Sequence, residues 1–258
     1  MNRIVQRFRE LGARHRAALI VYLTAGDPSL EETAALAMEA AAAGADILEL
    51  GVPWSDPSAD GPVIQRAMER ALTTGGAGRD TLGKTLDVVR KIREHTDVPI
   101  VLFGYYNPLL QRGIARAVDE AAQAGVDGML IVDLPPEESV EMDAALASAG
   151  LVRVPLLAPT TSVERARTIV ARGGGFAYYV ALTGVTGAGH LDIHEVTRRT
   201  RELRPALGGL PLAVGFGIRD AAGARAIADV ADAVVVGSAL VQAIADAPDA
   251  NGRRGATR

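Results

Sequence analysis

The chain repeats one pattern throughout its length: a short apolar run, then an alanine-rich segment with helical spacing. The apolar runs are Leu19–Thr24, Asp46–Gly51, Ile100–Tyr105, Gly128–Asp133, Val152–Ala158, Ala177–Ala181, Leu212–Phe216 and Val234–Val236. The clearest amphipathic segments are Glu31–Ala43, Ile114–Ala124, Glu137–Ala149, Val163–Ala171 and Ala221–Ala228. Near-continuous apolar strands separated by helices are typical of parallel strands buried on both faces. Eight such units in 258 residues fit a closed barrel better than an open sheet, so we expect a single (β/α)8 TIM barrel.

Glycines mark the expected helix ends. The sequences AGAD at 43–46, AGVD at 124–127 and AGLV at 149–152 each follow an amphipathic segment. Glycine there can cap a helix in a left-handed conformation, after which the next strand begins. The repetition favours one barrel domain over residues 1–247. The polar, glycine-containing residues 248–258 are expected to form a disordered tail.

Composition limits the cellular location and the classes of binding partner that we expect. The net charge of −4 does not favour binding to nucleic acid or to an anionic membrane surface. An anionic substrate would therefore need local backbone donors. The chain has no cysteine, which is compatible with the cytoplasm, and its four histidines show no metal-ligand spacing. With neither a signal-peptide pattern nor a long apolar span in the sequence, we expect a cytoplasmic protein without a metal.

The second apolar run carries a candidate acid–base residue. Strand alternation places Ile47, Glu49 and Gly51 on one face and the neighbouring leucines on the other. Active sites of such barrels lie at the carboxyl ends of the strands, so Glu49 should point into the mouth of the barrel. Partial burial raises the pKa of a carboxyl group, which suits a group that donates and accepts a proton. A solvated glutamate, or one paired with a buried Arg or Lys, remains the alternative.

A long loop with three prolines, residues 51–62, follows this strand. Asp60 lies near its end, just before the helix that we expect to open at Val63. A negative charge is favoured close to a helix N-terminus. Asp60 is thus either a second site carboxylate or only a cap or turn residue.

Three glycine-rich turns follow the sixth, seventh and eighth runs: GVTG at 184–187, GFGI at 215–218 and GS at 237–238. Phosphate sites in these barrels commonly combine the loops after strands seven and eight with a helix N-terminus. Glycine lets backbone N–H groups approach an anion, and Ser238 adds a hydroxyl donor. The placement of all three turns predicts a phosphate site, although each glycine could merely form a tight turn.

Six sequence motifs together resemble the tryptophan synthase α-subunit family, over about residues 7–241. They are LELGVPWSDPSADGP at 48–62, YYNP at 105–108, DLPPEE at 133–138, TGVTG at 183–187, GFGI at 215–218 and VVVGSA at 234–239. The long motif after the second strand is specific, whereas the glycine turns alone would fit many phosphate-binding barrels. The resemblance implies retro-aldol cleavage of indole-3-glycerol phosphate, a carbon–carbon lyase reaction in tryptophan biosynthesis.

The resemblance also assigns roles to residues. Glu49 matches the family's general acid/base, Asp60 the carboxylate that engages the indole N–H, and Tyr178 a site tyrosine. Tyr22 stands where the family has an aromatic near the indole. The positions that match phosphate-binding residues are Gly187, Gly217, Gly237 and Ser238. The positions that match contacts with the β subunit are Pro53, Asp56, Asn107 and Pro135. No cofactor is implied, because the indole ring itself accepts the electron pair.

Two departures from the family pattern keep alternatives open. Leu182 occupies a position where the family often has arginine, and the chain ends soon after the last expected helix. The chain could therefore be a weakly active barrel that mainly binds and activates a β-type partner. Another phosphate-binding barrel enzyme, such as a phosphoribosyl isomerase or a prenyl-glyceryl phosphate synthase, would need an acid–base arrangement different from Glu49 and Asp60. We also expect Trp54, on the proline-rich loop, to be exposed as an interface anchor.

Overall fold

The computed structural model describes residues 1–181, 192–215, 217–218 and 220–257. The described strands, all parallel in one sheet, are β1 (Ala18–Thr24), β2 (Ile47–Gly51), β3 (Ile100–Gly104), β4 (Gly128–Ile131), β5 (Val152–Arg153), β6 (Leu156–Leu157), β7 (Ala177–Val180), β8 (Leu212–Gly215) and β9 (Ala233–Val236). Their order across the sheet is β5-β4-β3-β2-β1-β9-β8-β7-β6. Since β5 and β6 are consecutive in the chain, the sheet closes on itself, and the predicted barrel is confirmed.

The fifth apolar run differs from the sequence prediction. We expected one strand over Val152–Ala158, but the structure has two short strands on either side of Val154 and Pro155. Proline has no backbone N–H to donate to a neighbouring strand, so the ladder is interrupted there. The backbone still bridges both neighbours: Val154 N donates to Met129 O at 2.8 Å, and Pro155 O accepts from Tyr178 N at 2.8 Å.

Helices surround the sheet and follow the predicted segments closely. The described α-helices are α1 (Arg3–Gly12), α2 (Leu30–Ala43), α3 (Pro62–Thr73), α4 (Thr81–Arg93), α5 (Tyr106–Arg112), α6 (Ile114–Ala124), α7 (Val140–Ser148), α8 (Val163–Val170), α9 (Ile193–Leu203), α10 (Ala221–Ala228), α11 (Ser238–Asp246) and α12 (Ala250–Ala256). Gly44 and Gly125 cap α2 and α6 in the left-handed conformation, as predicted. Among the described helices, none is long and apolar enough to cross a bilayer.

Strand alternation divides the core into an inner and an outer layer. Ile20, Ile47, Val101 and Leu130 pack inside the barrel, where they form one buried cluster. The alternate residues of the same strands, for example Leu48 and Leu50 of β2, pack outward beneath the helices. The predicted orientation of β2 is therefore confirmed, and it turns Glu49 towards the interior.

The C-terminal residues depart from the expected disorder. Asp249 caps α12, its side chain accepting a hydrogen bond from Gly252 N at 2.8 Å. Arg253 then forms two hydrogen bonds with the carboxylate of Glu32 on α2, at 2.6 and 2.9 Å. The prediction of a disordered tail over 248–258 was wrong for 250–256, because a capped helix with a side-chain anchor orders this segment. The feature missing from the sequence argument was the distant partner, Glu32.

One hydrogen-bond arrangement recurs where strands begin. Asp46, Asp127 and Asp232 each donate from the backbone N–H to the carbonyl of a residue at the start of a neighbouring strand. In return, the carboxylate accepts from the N–H of that same residue, at 2.7 to 2.9 Å. The residues bonded in this way are Leu19, Ile100 and Leu212 respectively. Each aspartate also pairs with at least one arginine. We call this arrangement the aspartate clamp.

Candidate active site

A pocket opens at the carboxyl ends of the strands. Its described lining residues are Tyr22, Glu49, Asp60, Ile64, Phe103, Tyr178, Gly217, Ile218, Val235, Gly237 and Ser238. The pocket thus brings together every sequence-predicted catalytic and substrate-binding residue within the described part of the chain. Gly187 lies outside the described residues.

Glu49 lies in the wall of this pocket, on the inner face of β2. Its side chain is 1% exposed, and neither carboxyl oxygen accepts a hydrogen bond from any residue that the structure describes. Such an orphaned polar group is costly and points to a functional reason for keeping it. Neither alternative for Glu49, a solvated carboxylate or one paired with Arg or Lys, is found among the described residues.

The surroundings of Glu49 favour its protonated form. Burial, and secondarily the nearby charge of Asp60, raise its pKa from the ordinary 4.5 to about 8. Desolvation destabilises an isolated carboxylate, and a second carboxylate adds repulsion. At neutral pH the group therefore holds a proton, yet it can release it at modest cost. This is the property that a residue alternating between general acid and general base requires.

Asp60 precedes Gly61, the N-cap residue of α3, and does not cap the helix itself. Its Oδ2 accepts a hydrogen bond from the Tyr105 hydroxyl at 2.6 Å. Burial raises the pKa of Asp60, while this hydrogen bond lowers it and so favours the ionised form. The interpretation of Asp60 as a mere cap is excluded by its geometry, and a second carboxylate faces the pocket beside Glu49.

Tyr22 and Tyr178 complete the polar lining. Tyr22 is the register partner of Glu49 across β1 and β2, and its ring meets Phe103 edge-on with centroids 5.5 Å apart. Burial raises the pKa of both phenols, so both remain protonated donors. A Cβ at Gly51 would collide with the Tyr22 hydroxyl, and one at Gly215 with the Tyr178 hydroxyl. These two glycines, at the ends of β2 and β8, are therefore required to seat the phenols.

Gly217, Gly237 and Ser238, from two of the three predicted phosphate turns, line the same pocket, and the turn at 184–187 lies outside the described residues. Gly237 is the N-cap residue of α11, so no side chain caps this helix, and Ser238 is its first residue. Gly217 adopts a φ of +77°, which a side chain would disfavour. The N–H groups of a helix N-terminus and its dipole suit an anion. The described residues of these turns thus have the chemistry of a phosphate site.

Comparison with known proteins identifies the family. The family model for the tryptophan synthase alpha chain matches residues 8–257. The chain belongs to the tryptophan synthase α-chain family. The tryptophan synthase alpha chain of Azoarcus sp. strain BH72 is 52% identical over 249 residues, covering 96% of this chain and 90% of that protein. The tryptophan synthase alpha chain of Xylella fastidiosa strain M12 is also 52% identical, with 96% and 91% covered.

Solved structures of the tryptophan synthase family share the fold along the whole chain. The tryptophan synthase subunit alpha of Legionella pneumophila strain Paris superposes with a TM-score of 0.86 at 38% identity, covering 100% of this chain and 98% of that one. A chain of Mycobacterium tuberculosis tryptophan synthase gives a TM-score of 0.87 at 36% identity, with 99% and 95% covered. The barrel predicted from the sequence is therefore the fold of this family.

The residues that resemble the family's β-subunit contacts lie around the mouth of the barrel. Asp56 and Pro135 are exposed, Asn107 is half-buried on α5, and Pro53 is buried. Trp54, which we expected to be exposed, is half-buried and packs against the inner core cluster. The expectation of a solvent-facing tryptophan was wrong, since the side chain is only partly exposed and packs against this cluster.

Sequence reasoning missed two aromatic residues of this tryptophan synthase α-type site. Phe103 lines the pocket, and Tyr105 bonds to Asp60 from just beyond the end of β3. Both follow from the alternation that was applied to β2: Val101, Phe103 and Tyr105 fall on the inner face of β3. The signal was present in the sequence, but β3 carries no charged residue to draw attention to it.

Proposed function

We propose that this chain cleaves indole-3-glycerol phosphate to indole and glyceraldehyde 3-phosphate, with Glu49 as the general acid and base. The family supplies the reaction. The observation that carries the role of Glu49 is its pair of buried carboxyl oxygens without partners among the described residues, at a pKa of about 8. A substrate seated in the pocket would provide the groups that these oxygens lack.

The reaction needs two proton transfers at neighbouring atoms. Protonated Glu49 donates its proton to C3 of the indole ring, which leaves positive charge at the ring nitrogen. The resulting carboxylate then takes the proton of the side-chain hydroxyl. The bond between C3 and the side chain breaks, its electron pair returns to the ring, and the hydroxyl carbon becomes the aldehyde of the second product. Glu49 ends the cycle protonated, as it began.

The other pocket residues would support this chemistry. The Asp60 carboxylate, beside the ring nitrogen, would stabilise the positive charge that develops there. Tyr22, Tyr178 and Phe103 would enclose the indole ring, and Gly217, Gly237 and Ser238 would hold the phosphate. The electron sink is the substrate's own ring. A cytoplasmic location, expected from the sequence, remains a prediction.

The test is indole release by Glu49→Gln, a variant of nearly the same shape that cannot exchange protons. We expect turnover to fall by roughly two to four decades, the usual scale of general acid–base catalysis, while the variant stays folded. Glu69→Gln, an exposed position on α3, is the matched control. Turnover of Glu49→Gln equal to that of the control would refute the assignment.

We further propose that a tryptophan synthase β-type subunit binds at the rim that carries Asp56, Asn107 and Pro135. Leu110 on α5 and Val140 on α7 are 50% and 59% exposed, and with Met1 they are the exposed large apolar side chains among the described residues. Both follow adjacent strands, β3 and β4, and Asp133 joins these segments by accepting a hydrogen bond from Tyr106 N at 2.7 Å. The rim therefore offers apolar anchors next to the site loop.

The partner test titrates indole release with a β subunit. We expect the wild type to be stimulated, because closure of the loop completes the site. Leu110→Ser should need a higher β concentration for the same effect, while its activity alone stays unchanged. Asp97→Ala, whose side chain is 95% exposed before β3 at the other end of the barrel, is the control. Equal titrations of all three proteins would remove the rim from the proposal.

A further inference from the structure

Tyr105 holds both the carboxylate and the backbone of the loop that delivers Asp60. Its hydroxyl donates to Asp60 Oδ2 at 2.6 Å and accepts from Ala59 N at 3.0 Å. Tyr105 is 4% exposed and directly follows β3, which pairs with β2 on one side and with β4 on the other. One phenol therefore fixes two points of a loop that otherwise runs over the barrel mouth.

The bond leaves the second carboxylate oxygen of Asp60 available. Among the described residues, Oδ1 makes no hydrogen bond, while Oδ2 is committed to Tyr105. A carboxylate held through one oxygen cannot rotate freely, so the direction of the other is set. If the ring nitrogen of the substrate lies in this pocket, the free oxygen is the acceptor for its N–H.

We propose that Tyr105 is a positioning residue for the cleavage reaction, acting through Asp60 by holding its carboxylate and its loop in the orientation that meets the indole N–H. This inference rests on the proposed function. Tyr105 does not itself line the pocket, and it need not touch the substrate. Its effect on rate would therefore pass through Asp60.

The electrostatic surroundings give this role a signature in the pH profile. In the part of the chain that the structure describes, the titratable groups that act on or respond to Asp60 are Glu49, Tyr22, Tyr105 and Tyr178. Of these, Tyr105 lowers the pKa of Asp60 by donating to its ionised form. Without that donor, burial dominates and the pKa of Asp60 rises. Since the ionised form is the one that stabilises positive charge, the acid limb of kcat/KM should move to higher pH.

The experiment compares Tyr105→Phe with Tyr106→Phe, which removes the adjacent half-buried phenol outside the pocket. We expect Tyr105→Phe to lower kcat/KM roughly 10-fold to 100-fold, the range for losing a hydrogen bond to a charged group. Its acid limb should shift to higher pH. Tyr106→Phe should retain the wild-type rate and profile.

A double-mutant cycle with Asp60→Asn separates positioning from general destabilisation. In the Asp60→Asn background, Tyr105→Phe should have little further effect on kcat/KM, because its target is gone. Additive losses, or a rate loss with an unmoved acid limb, would overturn the inference and leave a structural role. A wild type that releases no indole would instead reject the proposed function, so the two failures are distinguishable.

Discussion

At the residue scale, Glu49 links protein stability to pH. Its pKa is about 8 in the folded chain, against an ordinary 4.5. Between these values the folded state binds a proton that the unfolded state has released. A group whose pKa is raised by folding contributes stability that is complete below the unfolded value and is lost as pH rises through the folded value. The site residue thus weakens the fold in mildly alkaline solution.

Glu49→Gln removes this titration, which gives a test independent of activity. Relative to the variant, the unfolding free energy of the wild type should fall steadily from about pH 5 and level off above about pH 8, by a few kcal/mol in total. Urea unfolding of both proteins across this range measures the difference. Parallel stability profiles would mean that Glu49 is not held in a raised-pKa environment.

Residue-level prediction from sequence worked where a simple period applied. Alternation along β2 was enough to orient Glu49 inward, and the rule that the carboxyl ends of strands carry the site placed Asp60 near it. The hydrogen bond between Tyr105 and Asp60 joins residues 45 apart in sequence, on different elements. Its existence depends on the loop's path after Pro53, which no local pattern encodes. For the same reason Trp54 was wrongly expected to face solvent.

At the scale of elements, the aspartate clamp ties the start of one strand to the next. Asp46 and Asp127 follow the glycine-capped helix ends and directly precede β2 and β4, and Asp232 directly precedes β9. Of the arginines that pair with the three clamp aspartates, Arg93 of the Asp127 clamp is the most buried, at 12% exposed. It donates to Asp127 Oδ2 at 2.7 Å, and Arg3 donates to Oδ1 at 3.0 Å. In the Asp232 clamp the aspartate and Arg204 are 37% and 48% exposed.

This difference predicts unequal losses of stability on neutralisation. Asp127→Asn leaves a largely buried arginine without its counter-charge and should cost about 2 kcal/mol or more of unfolding free energy. Asp232→Asn breaks a more exposed pair and should cost less than about 1 kcal/mol. Equilibrium unfolding in urea gives both values. Equal losses would show that the backbone bonds, and not the ion pairs, make the clamp.

Elements were predictable where their signals were local. The ends of α6 and α10 match the amphipathic segments, and the strands match the apolar runs to within about two residues, apart from the fifth. The prediction of one strand for the fifth apolar run was wrong because it treated Pro155 like its apolar neighbours. Proline lacks the N–H that a continuous strand needs. The prediction for α12 failed because one of the contacts that order this helix, the pair of Arg253 with Glu32, joins residues more than 200 positions apart.

At the scale of the whole molecule, the repeat of strand and helix predicted the barrel before any residue had a role. Eight strand-forming units, closed by parallel pairing, leave one end of the sheet for chemistry. That geometry explains why residues from β1, β2 and β7, far apart in the chain, line a single pocket. The sequence could not show where closure would be weakest, since that depends on pairing between distant strands.

The closure lies at β5 and β6, which pair over only two residues each with β4 and β7. Local opening costs the least free energy where few backbone hydrogen bonds must break. The closure at β5 and β6, which we call the seam, should therefore open more often than the rest of the barrel. In amide hydrogen exchange, Val154 and Tyr178 should then lose protection at least about tenfold faster than the amides of β1, opposite the seam in strand order. Uniform protection around the barrel would contradict this. Because Tyr178 belongs to both the seam and the pocket, each opening would also unseat one wall of the site.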